Sequence, residues 1–311
     1  MLAGILAGIT WAVETLLLGR AVALPVFSRD LEAAFLAPFV CAFFHDTLSC
    51  FWLWGQRLAT GERSAWKNWQ KGGGWIILAA AVGGPVGMTG YVLAVKFMGP
   101  ALGAVACALF PAVGALLAQL LLGERLPLSR WACLLASLAG VYGLTTSGQV
   151  TEDNIILGLA SAIMCAGGWG LEAVILAKCF KGGIKTGQAL QIRQTTAAVI
   201  SGMLLVTALQ AGDFVGELVT KGPGKLGFLL AGASAMATAS YFCYYKAIEQ
   251  VGPSKAMALN VTYAAWAFLF TVLAGGWDLV NWRTIFFAGL VFAGSILTAA
   301  DWRALFKRGD D

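Results

Sequence analysis

Charge is what this sequence has least of. Asp, Glu, Lys and Arg make up 12% of its 311 residues, about half the share found in soluble domains. Hydrophobic residues make up 59%, more than a soluble core of this size can absorb without leaving much of it exposed. The chain is therefore read as an all-α integral membrane protein. Histidine is nearly missing as well, with His45 the single copy. The seven cysteines (Cys41, Cys50, Cys107, Cys133, Cys165, Cys179 and Cys243) are scattered, mostly within apolar stretches. Their spacing fits neither a disulfide framework nor a metal cluster, so they read as small buried side chains. Kinase, P-loop, Rossmann and zincin motifs are all wanting. No catalytic centre, metal or cofactor is expected, and no nucleotide-driven motor. The net charge of +5 makes no case for nucleic acid, because the basic residues fall between apolar stretches rather than on a soluble face.

What is present is a succession of long apolar runs. A helix crosses the hydrocarbon with roughly 20 apolar residues. On that measure the sequence predicts ten transmembrane helices, near 2–19, 34–56, 74–95, 101–122, 128–147, 155–177, 187–209, 225–248, 254–273 and 284–301. The first run lacks the basic leader of a signal peptide and is followed by many like it, so it is expected to be a span. Placing the N-terminus inside puts 14 Lys and Arg in the inner connections and tail (Arg57, Arg63, Lys67, Lys71, Arg125, Arg130, Lys178, Lys181, Lys185, Lys246, Lys255, Arg303, Lys307 and Arg308). Six lie outside (Arg20, Arg29, Lys96, Lys221, Lys225 and Arg283), and Arg193 falls within a span. Both termini are accordingly expected to be cytoplasmic, with the protein multi-pass in the inner (plasma) membrane.

The runs repeat. "YVLAVKFMGPALGAVACALFP" at 91–111 resembles "YYKAIEQVGPSKAMALNVTYA" at 244–264, at a constant offset of 153 residues. Tyr91 falls on Tyr244, Gly99-Pro100 on Gly252-Pro253, and Phe110 on Tyr263. Trp11 and Glu14 fall on Trp169 and Glu172 at an offset of 158, and His45-Asp46 on Arg193-Gln194 at 148. This predicts two five-helix repeats, 1–148 and 155–302, followed by a tail at 303–311. Five is odd, so the second repeat is expected to be inverted in the membrane. That is the architecture of alternating-access transporters, although channels and scaffolds are also duplicated.

The polar exceptions then locate a candidate site. Glu14 and Glu172 stand deep in apolar runs, and an ionised carboxylate facing lipid is costly, so both should point inward. Taken singly, each reads equally well as a structural acid. Together they are repeat-related, and each has a Trp one turn before it on the same helix face. An acid beside an indole is a good wall for a small organic cation. "ASYFCYYKAI" adds Tyr241, Tyr244 and Tyr245, and "ALNVTYAAWAF" adds Asn260, Tyr263 and Trp266, each three apart and so expected on one helical stripe. Aromatic stripes also fill helix packing, a reading that fits polar Asn260 less well. The first half offers Met88, Tyr91, Cys107 and Phe110. The substrate-binding set is thus Trp11, Glu14, Met88, Tyr91, Trp169, Glu172, Tyr241, Tyr244, Tyr245, Asn260 and Tyr263, with Glu14 favoured over Glu172 for the ligand. His45, Asp46 and Arg193 form a second polar group: a proton relay on one reading, packing and ion pairing on the other. In "GGPVGMTG", Pro85 is expected to kink its span or free a carbonyl.

These stretches carry a resemblance. "GPVGMTGYVLAVKFMG", "GGWGLEAVIL", "QIRQTT" and "SYFCYYKAIEQVGPSKAMALNVTYAAW" resemble the drug/metabolite transporter superfamily, in its EamA-like branch, and within it the LicB-like choline permeases. The resemblance implies a non-enzymatic, secondary or facilitated transporter. Its ligand would be choline or a similar quaternary ammonium, taken up across the bilayer, with a proton or sodium ion as candidate coupling ions. The assembly would be a monomer or homodimer. The alternatives kept open are export of amino acids or other amphiphilic metabolites, and a non-transport membrane scaffold.

Overall fold

The computed structural model describes residues 1–61, 72–145, 154–220 and 224–300. Arg63, Lys67, Lys71, Lys221 and the tail at 303–311, with Arg303, Lys307 and Arg308, lie outside them. Every described element is helical: α1 (Leu2–Val22), α2 (Leu31–Thr60), α3 (Gly73–Ala81), α4 (Gly87–Met98), α5 (Pro100–Cys107), α6 (Phe110–Leu122), α7 (Leu128–Thr145), α8 (Ile155–Lys181), α9 (Thr186–Met203), α10 (Gly212–Thr220), α11 (Gly224–Val251), α12 (Pro253–Asn260), α13 (Tyr263–Leu273) and α14 (Trp282–Ala299). Among the described residues, nine helical segments are long and apolar enough to cross a membrane. A helix also occupies the fifth expected stretch. It is α7, 18 residues long with Arg130 in its first turn, and it packs along α14.

Capping chemistry marks where helices begin. Asp30 accepts a hydrogen bond from Ala33 N at 2.7 Å and Asn154 from Leu157 N at 3.1 Å, each satisfying a free N–H of the first turn. Asn281 and Thr284 form a reciprocal pair at the start of α14. The two Gly-Pro junctions fold alike. Gly99 has φ 81°, ψ 161° and Gly252 φ 84°, ψ 162°, values open to glycine and strained for other residues. The following Pro occupies the first turn of α5 and α12, where its missing N–H costs nothing. Each of these helices runs eight residues and then breaks, α5 before Phe110 and α12 before Tyr263. The break splits the expected Asn260–Tyr263–Trp266 stripe. Trp266 instead stacks on Phe270 (6.1 Å) and meets Phe292 edge-on (4.9 Å).

The halves of the chain interleave. α1 lies along α11, α12 and α13; α8 lies along α4 and α6; α2 lies along α9 and α11. Lipid-immersed helices gain little from hydrophobic burial, so close approach and polar contacts must hold them. Ser137 of α7 hydrogen-bonds Ser295 of α14 at 2.8 Å, and Trp52 Nε1 of α2 donates to Ser234 Oγ of α11 at 3.0 Å. Around Pro85 the chain forms a π-helical turn, Val82–Val86, where the ring interrupts the regular ladder. Beyond that turn a glycine face meets α8, and a Cβ on Gly90 would stand 2.7 Å from both Cys165 N and Ser161 O.

One element had no counterpart in the apolar runs. α10 lies between the seventh and eighth spans, and it buries Phe214 against Phe27 (6.0 Å) while Glu217 pairs with Arg29 at 3.0 Å. Nine residues of "GDFVGELVT" are too short and too polar to register as a span.

Gly90→Ala should lower the melting temperature in detergent, since backbone must move to admit a methyl group, at a cost of about 1–3 kcal/mol. Gly167→Ala on α8, where a Cβ would meet nothing within 4 Å, should be neutral or slightly stabilising. A thermal melt of both variants checks the pair, and equal effects would contradict the packing account.

Candidate functional site

Between the interleaved helices lies a cavity of about 220 Å³, smaller than the roughly 300–1,000 Å³ of pockets for drug-sized ligands. Its wall includes Trp11, Glu14, Met88, Tyr91, Trp169, Glu172, Tyr241, Tyr244, Asn260 and Tyr263 from the expected set, together with His45, Asp46 and Arg193. Tyr245 is the exception: it is fully buried behind the wall. Phe110, Thr15, Ser201, Ser240, Gly83 and Gly84 also line the cavity. The repeat match pointed to Phe110, as the partner of Tyr263. Small residues such as Gly83 carry no chemical signal that sequence could have supplied.

One side of the cavity is aromatic. Trp11 stacks on Tyr263 with centroids 4.0 Å apart and planes at 29°, joining α1 to the start of α13. Trp169 lies edge-on to Trp11 (6.5 Å) and to Phe110 (5.6 Å), and is stacked with Tyr91 at 6.1 Å. Glycines make this possible. A Cβ on Gly87 would stand 2.8 Å from the Trp169 indole, and one on Gly83 would overlap the Glu172 carboxylate. The glycine face therefore seats both members of the second Trp-x-x-Glu.

The other side is ionic. The Arg193 guanidinium, 3% exposed, sends Nε to Glu172 Oε1 at 3.2 Å and Nη1 to Asp46 Oδ1 at 3.4 Å. It also donates from Nη1 to Gln194 Oε1 and from Nη2 to the Tyr241 hydroxyl at 2.9 Å. Four of its five N–H donors are thus engaged within the protein. Tyr245 donates to the same Glu172 oxygen at 2.7 Å, which is where that side chain goes instead of facing the cavity. His45 Nδ1 stands 3.1 Å from Asp46 Oδ1.

The two glutamates differ sharply. Glu172 is held by Arg193 and Tyr245. Glu14 takes no hydrogen bond among the described residues, and its ion-pair neighbour, His45 Nε2, is 3.8 Å away. The cluster as a whole contains three carboxyl groups, one guanidinium and one imidazole, and Glu14 carries its least-compensated acid.

The cavity lies in the middle of the bundle, lined by Trp11 to Leu18 of α1, Trp169 and Glu172 of α8, Arg193 to Ser201 of α9 and Ala237 to Tyr244 of α11. At the end where α9 and α12 begin, Thr186 donates to Glu249 at 3.1 Å and Ser254 to Glu124 at 3.0 Å.

Removing Arg193 would leave Asp46 and Glu172 buried without their cation, a change that costs about 3–5 kcal/mol. Arg193→Gln should therefore lower the melting temperature far more than Glu14→Gln, which breaks no ion pair shorter than 3.8 Å. Equal losses in a thermal melt would show that Glu14 is held by the fold as firmly as Glu172.

Comparison with known proteins bears on the fold and on what the sequence is similar to. Residues 1–146 match the EamA-like transporter family. The chain is 29% identical to Protein LicB of Haemophilus influenzae (strain ATCC 51907 / DSM 11121 / KW20 / Rd) over 191 residues, which is 61% of this chain and 63% of LicB. A solved crystal structure superposes with a TM-score of 0.75 at 18% identity, covering 100% of this chain and 98% of its own, a likeness of fold. The first part of the chain is thus similar to the EamA-like transporter family, and the chain is similar to LicB over less than two thirds of LicB's own length, on a helical fold with nine helices among the described residues long and apolar enough to cross a membrane.

Proposed function

We propose that the protein moves a small quaternary ammonium compound, choline or a close analogue, across the membrane by alternating access between two inverted five-helix repeats. The observation that carries this reading is the pairing, on one cavity, of an aromatic wall with a carboxylate that takes no hydrogen bond among the described residues. Trp11, Tyr263, Tyr91, Phe110 and Trp169 present ring surfaces, and Glu14 lines the same space. A quaternary nitrogen has no N–H to donate, so ring faces and a nearby negative charge are what can hold it out of water. In this reading Glu14 is the counter-charge for the ligand, while Glu172 is a structural anchor for Arg193.

The amino-acid alternative needs a donor for the ligand's carboxylate. Arg193, the cation on the cavity wall, already has four of its five donors on Asp46, Glu172, Gln194 and Tyr241. With both termini cytoplasmic, the contacts Thr186–Glu249 and Ser254–Glu124 lie at the inner end of the bundle, where a protein engaged in uptake would release its ligand.

Purified protein in detergent should be stabilised against heat by choline, and not by betaine or phenylalanine, whose carboxylates would face Glu14. Trp11→Ala should weaken choline binding about tenfold or more, as loss of a desolvated cation–π contact implies, and Glu14→Gln should weaken it further than Glu172→Gln does in whatever fraction remains folded. Stabilisation by phenylalanine but not choline would replace the cation reading with the amino-acid one.

A further inference from the structure

Two side-chain atoms of cavity-lining residues, His45 Nε2 and Asn260 Oδ1, are buried without a hydrogen bond among the described residues; His45 still meets Asp46 through its other nitrogen, whereas Asn260 has no such contact. Asn260, the last residue of α12, is 6% exposed and lines the cavity, yet its Oδ1 is buried without a hydrogen bond among the described residues. Buried side-chain amides are nearly always satisfied, and one left unpaired destabilises the fold. The backbone offers no reason for an amide here. The matching position at the other helix break is Cys107, a buried thiol packed with Ala94, Ala162 and Cys165 and absent from the cavity wall. The same break is therefore built in this chain without any polar side chain. Asn260 also stands close to the aromatic wall. α1 packs against the break at Gly8, where a Cβ would lie 3.4 Å from the Asn260 carbonyl oxygen, and one turn later Trp11 stacks on Tyr263.

We propose that Asn260 reads the hydroxyl of a hydroxyalkyl quaternary ammonium ligand, a role that rests on the cation reading above and adds specificity to it. The trimethylated head has no hydrogen-bonding group, so the hydroxyl is the one part of such a ligand that can satisfy the amide. A hydroxyl both donates and accepts, so it serves either face of the carboxamide. A site with a buried polar group rejects the analogue that leaves that group unpaired. The ligand class is thus narrowed from quaternary ammonium in general to those carrying a hydroxyl a short methylene chain away.

The test compares choline with propyltrimethylammonium, in which a methyl group replaces the hydroxyl, by calorimetric titration of the full chain in detergent. The wild-type protein should prefer choline by about tenfold. Asn260→Leu, and Asn260→Cys, which installs the residue of the matching break, should bring the ratio to about one by weakening choline alone. Retained affinity for propyltrimethylammonium then certifies that fold and aromatic wall are intact. Variants that keep the wild-type ratio, or that lose both ligands equally, would overturn the proposal and mark the amide as structural. Equal wild-type affinity for the two ligands would sink the hydroxyl contact and leave the cation reading standing. Binding of neither ligand would sink both.

Discussion

A guanidinium set among membrane-spanning helices has to be neutralised where it stands, because lipid offers neither water nor counter-ions. Arg193 is neutralised by carboxylates from two other helices, Asp46 on α2 and Glu172 on α8, with Tyr241 of α11 closing the ring. Four helices are thereby fixed about one point at the middle of the bundle. Such a cluster is weak evidence for stability as such, since desolvation consumes much of its Coulombic gain. Its consequence is geometric: α2, α8, α9 and α11 can shift only together or by breaking a charged contact. The cluster forms one wall of the cavity, with Glu14 as its acid without a hydrogen bond among the described residues and the aromatic rings on the other side.

The aromatic wall depends on absent side chains as much as on present ones. Trp169 and Glu172 reach the centre because Gly87 and Gly83 have no Cβ to displace them, and the π-helical turn at Val82–Val86 turns those glycines toward α8. In lipid, where apolar burial gives little net gain, such close backbone approach is the main source of helix adhesion. The same residues therefore serve packing and site construction, and any movement between α4 and α8 must alter the position of Trp169.

Much of the site was legible from its exceptions. Glu14, Glu172, Arg193 and the tyrosines of α11 stood out because charged and aromatic groups in an apolar run need a partner. Phe110 was legible through its repeat match with Tyr263. Tyr245 and Trp266 were harder. Each lies at a helical spacing that suits the cavity, yet Tyr245 sits one residue past Tyr244 and turns to Glu172, and Trp266, one turn beyond Tyr263, packs against Phe270 and Phe292 instead. Helical periodicity specifies a face only while the helix continues. The short α10 was invisible to a search for long apolar runs, because its stability comes from Phe214 and Glu217 meeting partners far away in sequence.

Composition and hydropathy by themselves determined the all-helical membrane class, since no soluble core can hold so apolar a chain. Internal similarity likewise determined which residues are counterparts, because a repeated Gly-Pro junction imposes the same backbone at Gly99 and Gly252. Tertiary structure alone decided that the two glutamates part ways. Sequence presents Trp11-x-x-Glu14 and Trp169-x-x-Glu172 as equals, and nothing local separates them. Only the reach of the Arg193 side chain from α9 and the packing of α8 against α11 bring Arg193 and Tyr245 to Glu172, while α1 meets His45 at a distance too long for a hydrogen bond. The pairing of a charge depends on which helices adjoin it, and adjacency is a property of the fold.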